Sequence, residues 1–428
     1  MRKEITNTQA AAERKAVTYQ SEYIDTLNRL FDENEHLAEL KYFFDTAYFW
    51  SNEKARRSHK PEVVILGTGI PEELVIAAGA QPYWLTGGSF GSLAWSDDIV
   101  PRDTDPVSRS ILGYIHQPCG ADFSDSLFII PLSSDSMRKI AFELKEEGRS
   151  IVTVDIPAQR DDKSAREKWH RQMLALTEAV AKHTGSRVTR SSVLLAAQRV
   201  SAARNALKVF LDVSRGRSDI ITDSARLFIA GSYFLTDDLD SWAFRLENLT
   251  RRIYHISRQM PFVRNDRPGV LLMGSPVVFP NYKIPFLIAD TGLEILDTAD
   301  PSAVKNSLIY DAGVLHGSKS RLVKTISSVS YMNDASPAFV TNLSMQRYVS
   351  GLLQKGDIEG VVYHVLKGQI EYDFELENYE KQFSAYGVPV FRLETDYQYQ
   401  DVEQLRIRLE AFSEMLAHNR CREVKKAL

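Results

Sequence analysis

Residues 63–79 read Val-Val-Ile-Leu-Gly-Thr-Gly-Ile-Pro-Glu-Glu-Leu-Val-Ile-Ala-Ala-Gly, and the change of period within this stretch decides the fold class. The four consecutive apolar residues Val63 to Leu66 suit a short strand buried on both faces. Gly67-Thr68-Gly69 and Pro71 make a turn, a helical pattern runs through Ala78, and Gly79 stops it. Downstream the same grammar repeats, with Leu127 to Pro131 as strand, Ser136 to Glu147 as helix and Ile151 to Ile156 as strand. Upstream, Tyr23, Leu27, Leu30 and Phe31, then Leu37, Leu40, Phe43, Phe44 and Ala47, recur at helical spacing and predict two N-terminal helices.

From about Arg160 to Arg258 strand signals vanish. The runs SSVLLAAQRVSAARNALKVFLDVSR (191–215) and TDSARLFIAGSYF (222–234) predict a helical insertion or lid. After the breaker-rich PFVRNDRPG (261–269), strand and helix alternate again. Strands are expected at Val270 to Met273, Leu293 to Leu296, Val361 to Val365 and Val388 to Leu393, and helices at Ile284 to Asp290, Glu377 to Ala385 and Val402 to Ala417. The expected organisation is an N-terminal helical segment (1–60), a first α/β lobe (61–159), the insertion (160–266) and a second α/β lobe (267–428). VVILGTGIPEELVIAAGAQPYWL and VLLMGSPVVFPNYKIPFLIADTGLEIL share one order of strand, Gly, Pro-containing turn, helix, Gly and strand, which is compatible with duplication. A chain of 428 residues also exceeds the roughly 250–300 residues at which single cores stop growing.

Bulk properties exclude several functions. The formal net charge is −4 and Lys and Arg are dispersed, so no polyanion footprint exists and nucleic acid is not an expected partner. No apolar run reaches the ~18 residues of a membrane span, and the amino terminus has no secretory h-region, so a cytoplasmic location is expected. Cys119 and Cys421 are the only cysteines, far apart and without zinc spacing.

In open parallel sheets ligands bind beyond the carboxyl ends of the strands, so the loops after Leu66, Ile130, Met273 and Val365 are the expected site. Gly67 and Gly69 give half of a dinucleotide fingerprint, but Glu72 stands where the third Gly would fall, and a tight βα turn is the better explanation of them, with the amides at that helix start still able to meet an anion. Glu72 and Glu73 open a helix, where the dipole favours acids. Glu394, Asp396 and Tyr397 follow a strand and either face the cleft or cap the next helix. Leu405, Leu409 and Phe412 mark the buried face of the last helix, with Arg406 and Glu410 as an i,i+4 pair and Arg408 free to meet a phosphate.

PEELVIAAGAQPYWL (71–85), VPVFRLETDY (388–397) and QLRIRLEAFSEML (404–416) together resemble the 2-hydroxyacyl-CoA dehydratase and benzoyl-CoA reductase subunit family, from about Pro61 to Leu416. The resemblance implies two Rossmann-like or flavodoxin-like lobes around a cleft, and a homologous partner subunit. It also implies an acyl-CoA thioester substrate, a [4Fe-4S] cluster on three cysteines, and a separate ATP-dependent activator that supplies an electron. Carried over position by position, the first cysteine is similar in placement to Cys119 in QPCGAD. The second corresponds to Ser134 in PLSSDSMRK, and the third falls near Gly368 in VVYHVLKGQIEYD. Glu73 matches a carboxylate that the family is suspected of using as a general base, a role that needs a raised pKa in a dry cleft.

One thiol in three remains. Iron-sulfur clusters of this type are anchored by thiolates, and Ser134, Asp135, His116 or His364 would be substitutes of a harder or different kind. Cys119 itself reads either as a functional thiol or as a small buried residue. The sequence therefore predicts no cluster on this chain, with [4Fe-4S] on a partner or on substituted ligands. Three functions stay open: a degenerate dehydratase or reductase-like subunit working with a cluster-bearing homologue, a non-catalytic acyl-CoA-binding or assembly subunit, and a redox-independent enzyme acting on thioesters through Glu73 and backbone donors.

Overall fold

The computed structural model describes residues 20–51, 62–117, 121–260, 266–310 and 315–427. Helix α1 (20–32) and α2 (Lys41–Ser51) lead into the first lobe. Its strands are β1 (Val63–Leu66), β2 (Pro82–Leu85), β3 (Leu127–Leu132) and β4 (Ser150–Asp155), all parallel in the order β2-β1-β3-β4. Between them lie α3 (Glu72–Ala77), α4 (Phe90–Leu93), α5 (Pro106–His116) and α6 (Asp135–Glu146). The second lobe repeats this plan with β5 (Gly269–Gly274), β6 (Glu294–Ala299), β7 (Gly360–Leu366) and β8 (Val390–Thr395), parallel in the order β6-β5-β7-β8. The two sheets thus share one topology, in support of the internal likeness of the two sequence halves.

Each sheet reverses its strand order beside its first strand, and a crevice opens at such a switch point. At that point Gly67 and Gly274 take equivalent places, with φ of +75° and +106°. At Gly274 a Cβ would stand 2.1 Å from the His364 carbonyl oxygen, so only glycine lets β5 turn away against β7. Central strands are buried but for Leu132 at the end of β3, whereas the outer strands β4 and β8 are half-exposed, as the polar residues in SIVTVD and VFRLET require.

The insertion is four helices, α7 (Lys163–His183), α8 (Arg190–Ser214), α9 (Asp223–Gly231) and α10 (Leu239–Gln259). Each starts at a side-chain N-cap, Asp162, Thr189, Thr222 and Asp238 respectively. Its apolar faces merge with the first-lobe core, where Trp169 and Trp242 are buried. Within 300–359, unassigned by sequence pattern, the described residues include α12 (Pro301–Asn306), α13 (Lys319–Asn333) and α14 (Leu343–Leu353). Helix α13 packs back on the insertion, with Tyr331 stacked on Trp169 at 5.3 Å. The second sheet has separate apolar clusters on its faces: Val270 and Leu272 meet α11 (Lys283–Asp290) and α16 (Val402–Ala427), while Leu271 and Met273 meet α14 and α15 (Ile370–Ala385). No described helix is long and apolar enough to cross a membrane.

Candidate functional site

The loops that leave the two switch points meet in one cavity of about 180 Å³. Gly67, Gly69 and Ser134 line it from the first lobe, and Val277, Gln369 and Glu371 from the second. Its ionisable lining is of one sign, Asp105, Asp334 and Glu371, without a Lys, Arg or His among the described lining residues. Asp105 caps α5 by accepting the Ser108 amide at 3.0 Å. The Asp334 carboxylate accepts the Ser336 amide at 2.8 Å, and burial pushes its pKa up. Glu371 is raised as well, first by burial and then by the neighbouring charges of Asp105 and Asp135. Removing a carboxylate from water disfavours its charged form, so Asp334 and Glu371 hold a proton more readily than exposed carboxylates do. An anion placed deep in this cavity would meet only like charge.

The predicted loop residues are placed as follows. Gly67 and Gly69 both line the cavity, but the Gly67 amide is taken by the Leu85 carbonyl at 2.9 Å. Gly69 faces Asp334, whose Oδ2 would lie 3.9 Å from a Cβ built there. With Pro71 at the N-cap of a six-residue α3 and an acid across the loop, this is a turn rather than a phosphate cradle. Ser134 caps α6, its Oγ accepting the Met137 amide at 3.2 Å. Gly368 adjoins the opposite wall with φ of +86°, and a Cβ there would stand 3.2 Å from the Asp105 Cα. Cys119 lies outside the described residues, and Cys421 is exposed on the terminal helix.

Glu73 points elsewhere. It is fully buried and lines none of the described cavities; Arg204 Nη1 reaches its Oε1 at 3.1 Å. Its neighbour Glu72 receives Arg204 Nη2 at 2.6 Å, Lys305 Nζ at 2.7 Å and the Tyr233 hydroxyl at 2.7 Å. This ionic knot ties α3 of the first lobe to the insertion through Arg204 and to the second lobe through Lys305. Burial pushes Glu72 up, but Arg204 and Lys305 overcome it and hold the carboxyl at about 2. Burial pushes Glu73 up too, Arg204 opposes this, and the Glu72 charge adds to the rise. The helix-start position that the sequence allowed is therefore also a buried ion-pair position.

A family model for the D-component of 2-hydroxyglutaryl-CoA dehydratase matches residues 67–416. The chain belongs to this family. Among curated relatives, the Escherichia coli (strain K12) protein YjiM, named for a dehydratase subunit, is 21% identical over 355 residues, covering 82% of this chain and 90% of YjiM. The (R)-phenyllactyl-CoA dehydratase beta subunit of Clostridium sporogenes is 21% identical over 351 residues, covering 81% of this chain and 89% of the relative.

The family's cluster can be tested against the donors this chain holds. Two cysteines cannot supply three thiolates, and a side chain at Gly368 would be strained and crowded by the Asp105 backbone. The substitutes do not converge: Nδ1 of His116 meets the Leu112 carbonyl at 2.8 Å and its Nε2 meets Glu147 at 2.6 Å. Asp135 is exposed beside Arg138, and His364 is buried with Nδ1 at 3.0 Å from the Ser275 carbonyl. No group of three His, Cys, Asp or Glu residues suited to a metal forms among the described residues. The residues of this chain do not fit a three-thiolate [4Fe-4S] site.

The tail acids cap and brace rather than face the cavity. Lys283, buried on α11, donates to Thr395 Oγ1 at 2.6 Å, the Asp396 carbonyl at 2.9 Å and Asp401 Oδ1 at 2.7 Å, and so fixes the loop after β8. Glu394 pairs with Arg392 at 2.9 Å, and Tyr397 is buried. Leu405, Leu409 and Phe412 are buried as predicted. The Arg406–Glu410 pair is corrected: Arg406 turns to Asp290 and Glu403, both at 3.7 Å, because α16 lies along α11. Arg408 donates to the Arg392 carbonyl at 3.2 Å and covers the Phe391 ring. Sequence reading missed Asp105, Asp334 and Glu371. Only Asp105 carries a local signal, an N-cap acid followed by Pro106.

Proposed function

We propose that this chain is a 2-hydroxyacyl-CoA dehydratase or benzoyl-CoA reductase-like subunit with a degenerate [4Fe-4S] site, which works with a cluster-bearing homologous subunit on an acyl-CoA thioester. The observation that supports this reading is the cleft between two lobes of one topology in a chain with two cysteines, where Ser134 lines the cavity and Gly368, at φ of +86°, adjoins it. Membership of the family over residues 67–416 supports the scaffold, and a relative named as a beta subunit supports a multi-subunit assembly. An ATP-dependent activator would then serve the partner, where the electron is received. Within this chain Asp334 and Glu371 are the carboxyl groups that could hold or move a proton in the cleft, since they line it and burial raises both. Glu73 is assigned a positioning role through Arg204.

The test is co-expression with a family member that carries all three cysteines, followed by anaerobic purification and iron and sulfide analysis of the complex and of each subunit. Iron is expected on the partner and in the complex. A stoichiometric four-iron cluster on the lone chain would overturn the reading. Turnover of a 2-hydroxyacyl-CoA by the complex separates a catalytic subunit from one that only binds or assembles.

A further inference from the structure

A second cavity, about 420 Å³, lies between the insertion and the second lobe, with Leu207 and Leu227 on one side and Leu272 and Tyr348 on the other. This volume falls in the roughly 300–1,000 Å³ range of small-molecule sites. It shares Gly231, Val277 and Ser302 as wall residues with the interlobe cavity, so the two spaces are adjacent. Asn306 lines it at 8% exposure, and its amide oxygen has no hydrogen-bond partner among the described residues. Buried side-chain acceptors are rarely left unpaired, and replacing such a group by an apolar one normally helps the fold. An unpaired amide oxygen kept on the wall of a cavity lined by aliphatic and polar side chains in similar measure points to a ligand that supplies the missing donor.

The charges narrow the class of ligand. Asp212, Asp297 and Asp300 lie on the wall, Asp297 paired with Arg215 at 2.6 Å and Asp300 accepting the Ser302 amide at 2.7 Å, while the buried Arg226 of the same wall is spent on the Leu296 and Ile295 carbonyls, so a deep phosphate is disfavoured. Lysines stand where the wall meets solvent, Lys208 and Lys355 both exposed, with Lys355 shared with Asp297 at 3.1 Å. The arrangement suits a neutral chain of alternating aliphatic and amide segments with an anionic group at its outer end. We propose that this cavity seats the pantetheine arm of a coenzyme A thioester, with its amide on Asn306, its diphosphate towards Lys208 and its acyl end delivered past Gly231 into the interlobe cavity. The assignment rests on the acyl-CoA reading above and adds a location and a recognition group.

Calorimetric titration of the full chain, alone and in complex with its homologous partner, with acetyl-CoA and with acetyl-pantetheine, tests it. Asn306→Leu is expected to weaken both probes roughly tenfold while leaving the thermal midpoint unchanged or higher, because it removes an unpaired polar group. Lys208→Glu is expected to weaken acetyl-CoA and leave acetyl-pantetheine unaffected. If Asn306→Leu binds both probes as wild type does, the subsite is wrong and the acyl-CoA reading stands. A fall of more than roughly 5 °C in its melting point would make Asn306 a structural residue and overturn the subsite as well. If wild type binds neither probe in either state, the acyl-CoA reading itself fails and the subsite with it.

Discussion

Replacing Arg204 with methionine removes the centre of the buried ionic knot while keeping an apolar stem of similar length. In the native chain Arg204 stands 2.6 Å from Glu72 and 3.1 Å from Glu73, with Lys305 as the other cation, 2.7 Å from Glu72. Both glutamates and Arg204 are at most 2% exposed, so water cannot take over the lost charge. Two carboxylates against one ammonium leave a net buried negative charge, and breaking such a group by removing one partner costs about 3–5 kcal/mol. At about 2–4 °C per kcal/mol for a large domain, the melting midpoint should fall on the order of 10 °C. Glu73→Gln should cost much less, because Glu73 is the member whose charged form is least supported and its loss leaves Arg204 on Glu72. The pH dependence has a definite sign. Without Arg204 a glutamate must protonate, its folded pKa rises above its unfolded value, and stability from it is present below that unfolded value and lost as pH rises. The deficit of Arg204→Met should therefore be larger at pH 8 than at pH 5, measured by scanning fluorimetry against wild type at each pH. A midpoint within about 2 °C of wild type at pH 8, or a deficit larger at pH 5, would refute the reasoning.

Glu72 in the wild-type chain has the opposite sign. Its carboxyl is held at about 2, so its contribution is present above the ordinary value of 4.5 and should be lost as pH falls from there towards 2, visible as a steepening acid limb that Glu72→Gln removes. Gly368→Ala should destabilise by about 1–2 kcal/mol in urea titration, since it forces an L-residue to φ of +86° and sets a Cβ 3.2 Å from the Asp105 Cα. Glu22 on α1 accepts hydrogen bonds from Ser89 Oγ at 2.8 Å and from the Phe90 and Gly91 amides at 3.0 and 3.1 Å. Glu22→Gln should weaken this anchor and raise hydrogen exchange across residues 20–32 before the sheets are affected. Asp334→Asn keeps the acceptor for the Ser336 amide, so the reconstituted complex should keep its melting point while losing turnover by about a hundredfold or more.

The amino-acid sequence by itself determined the local grammar of this protein. Val63 to Leu66 is a buried strand and Gly79 ends a helix because β-branched runs, turn glycines and helical spacing act between near neighbours, and the same holds for Val361 to Val365 and for the packed face of the last helix. The shortage of cysteines needed no coordinates either, since thiolates are counted rather than placed. Local pattern was silent on 300–359, whose helices are set by what they pack against, and it found α15 but not its first two turns, since the helix begins at Ile370 rather than Glu377. Tertiary structure alone decided the site. Glu73 carries the same helix-start signal whether it faces a substrate or an arginine, and it is Arg204, over a hundred residues away, that claims it. Asp105, Asp334 and Glu371 come from separate segments and share a cavity only because two sheets of identical topology bring their switch points face to face. Charge, burial and proton affinity depend on that meeting through space, and no property of one residue's neighbours along the chain records it.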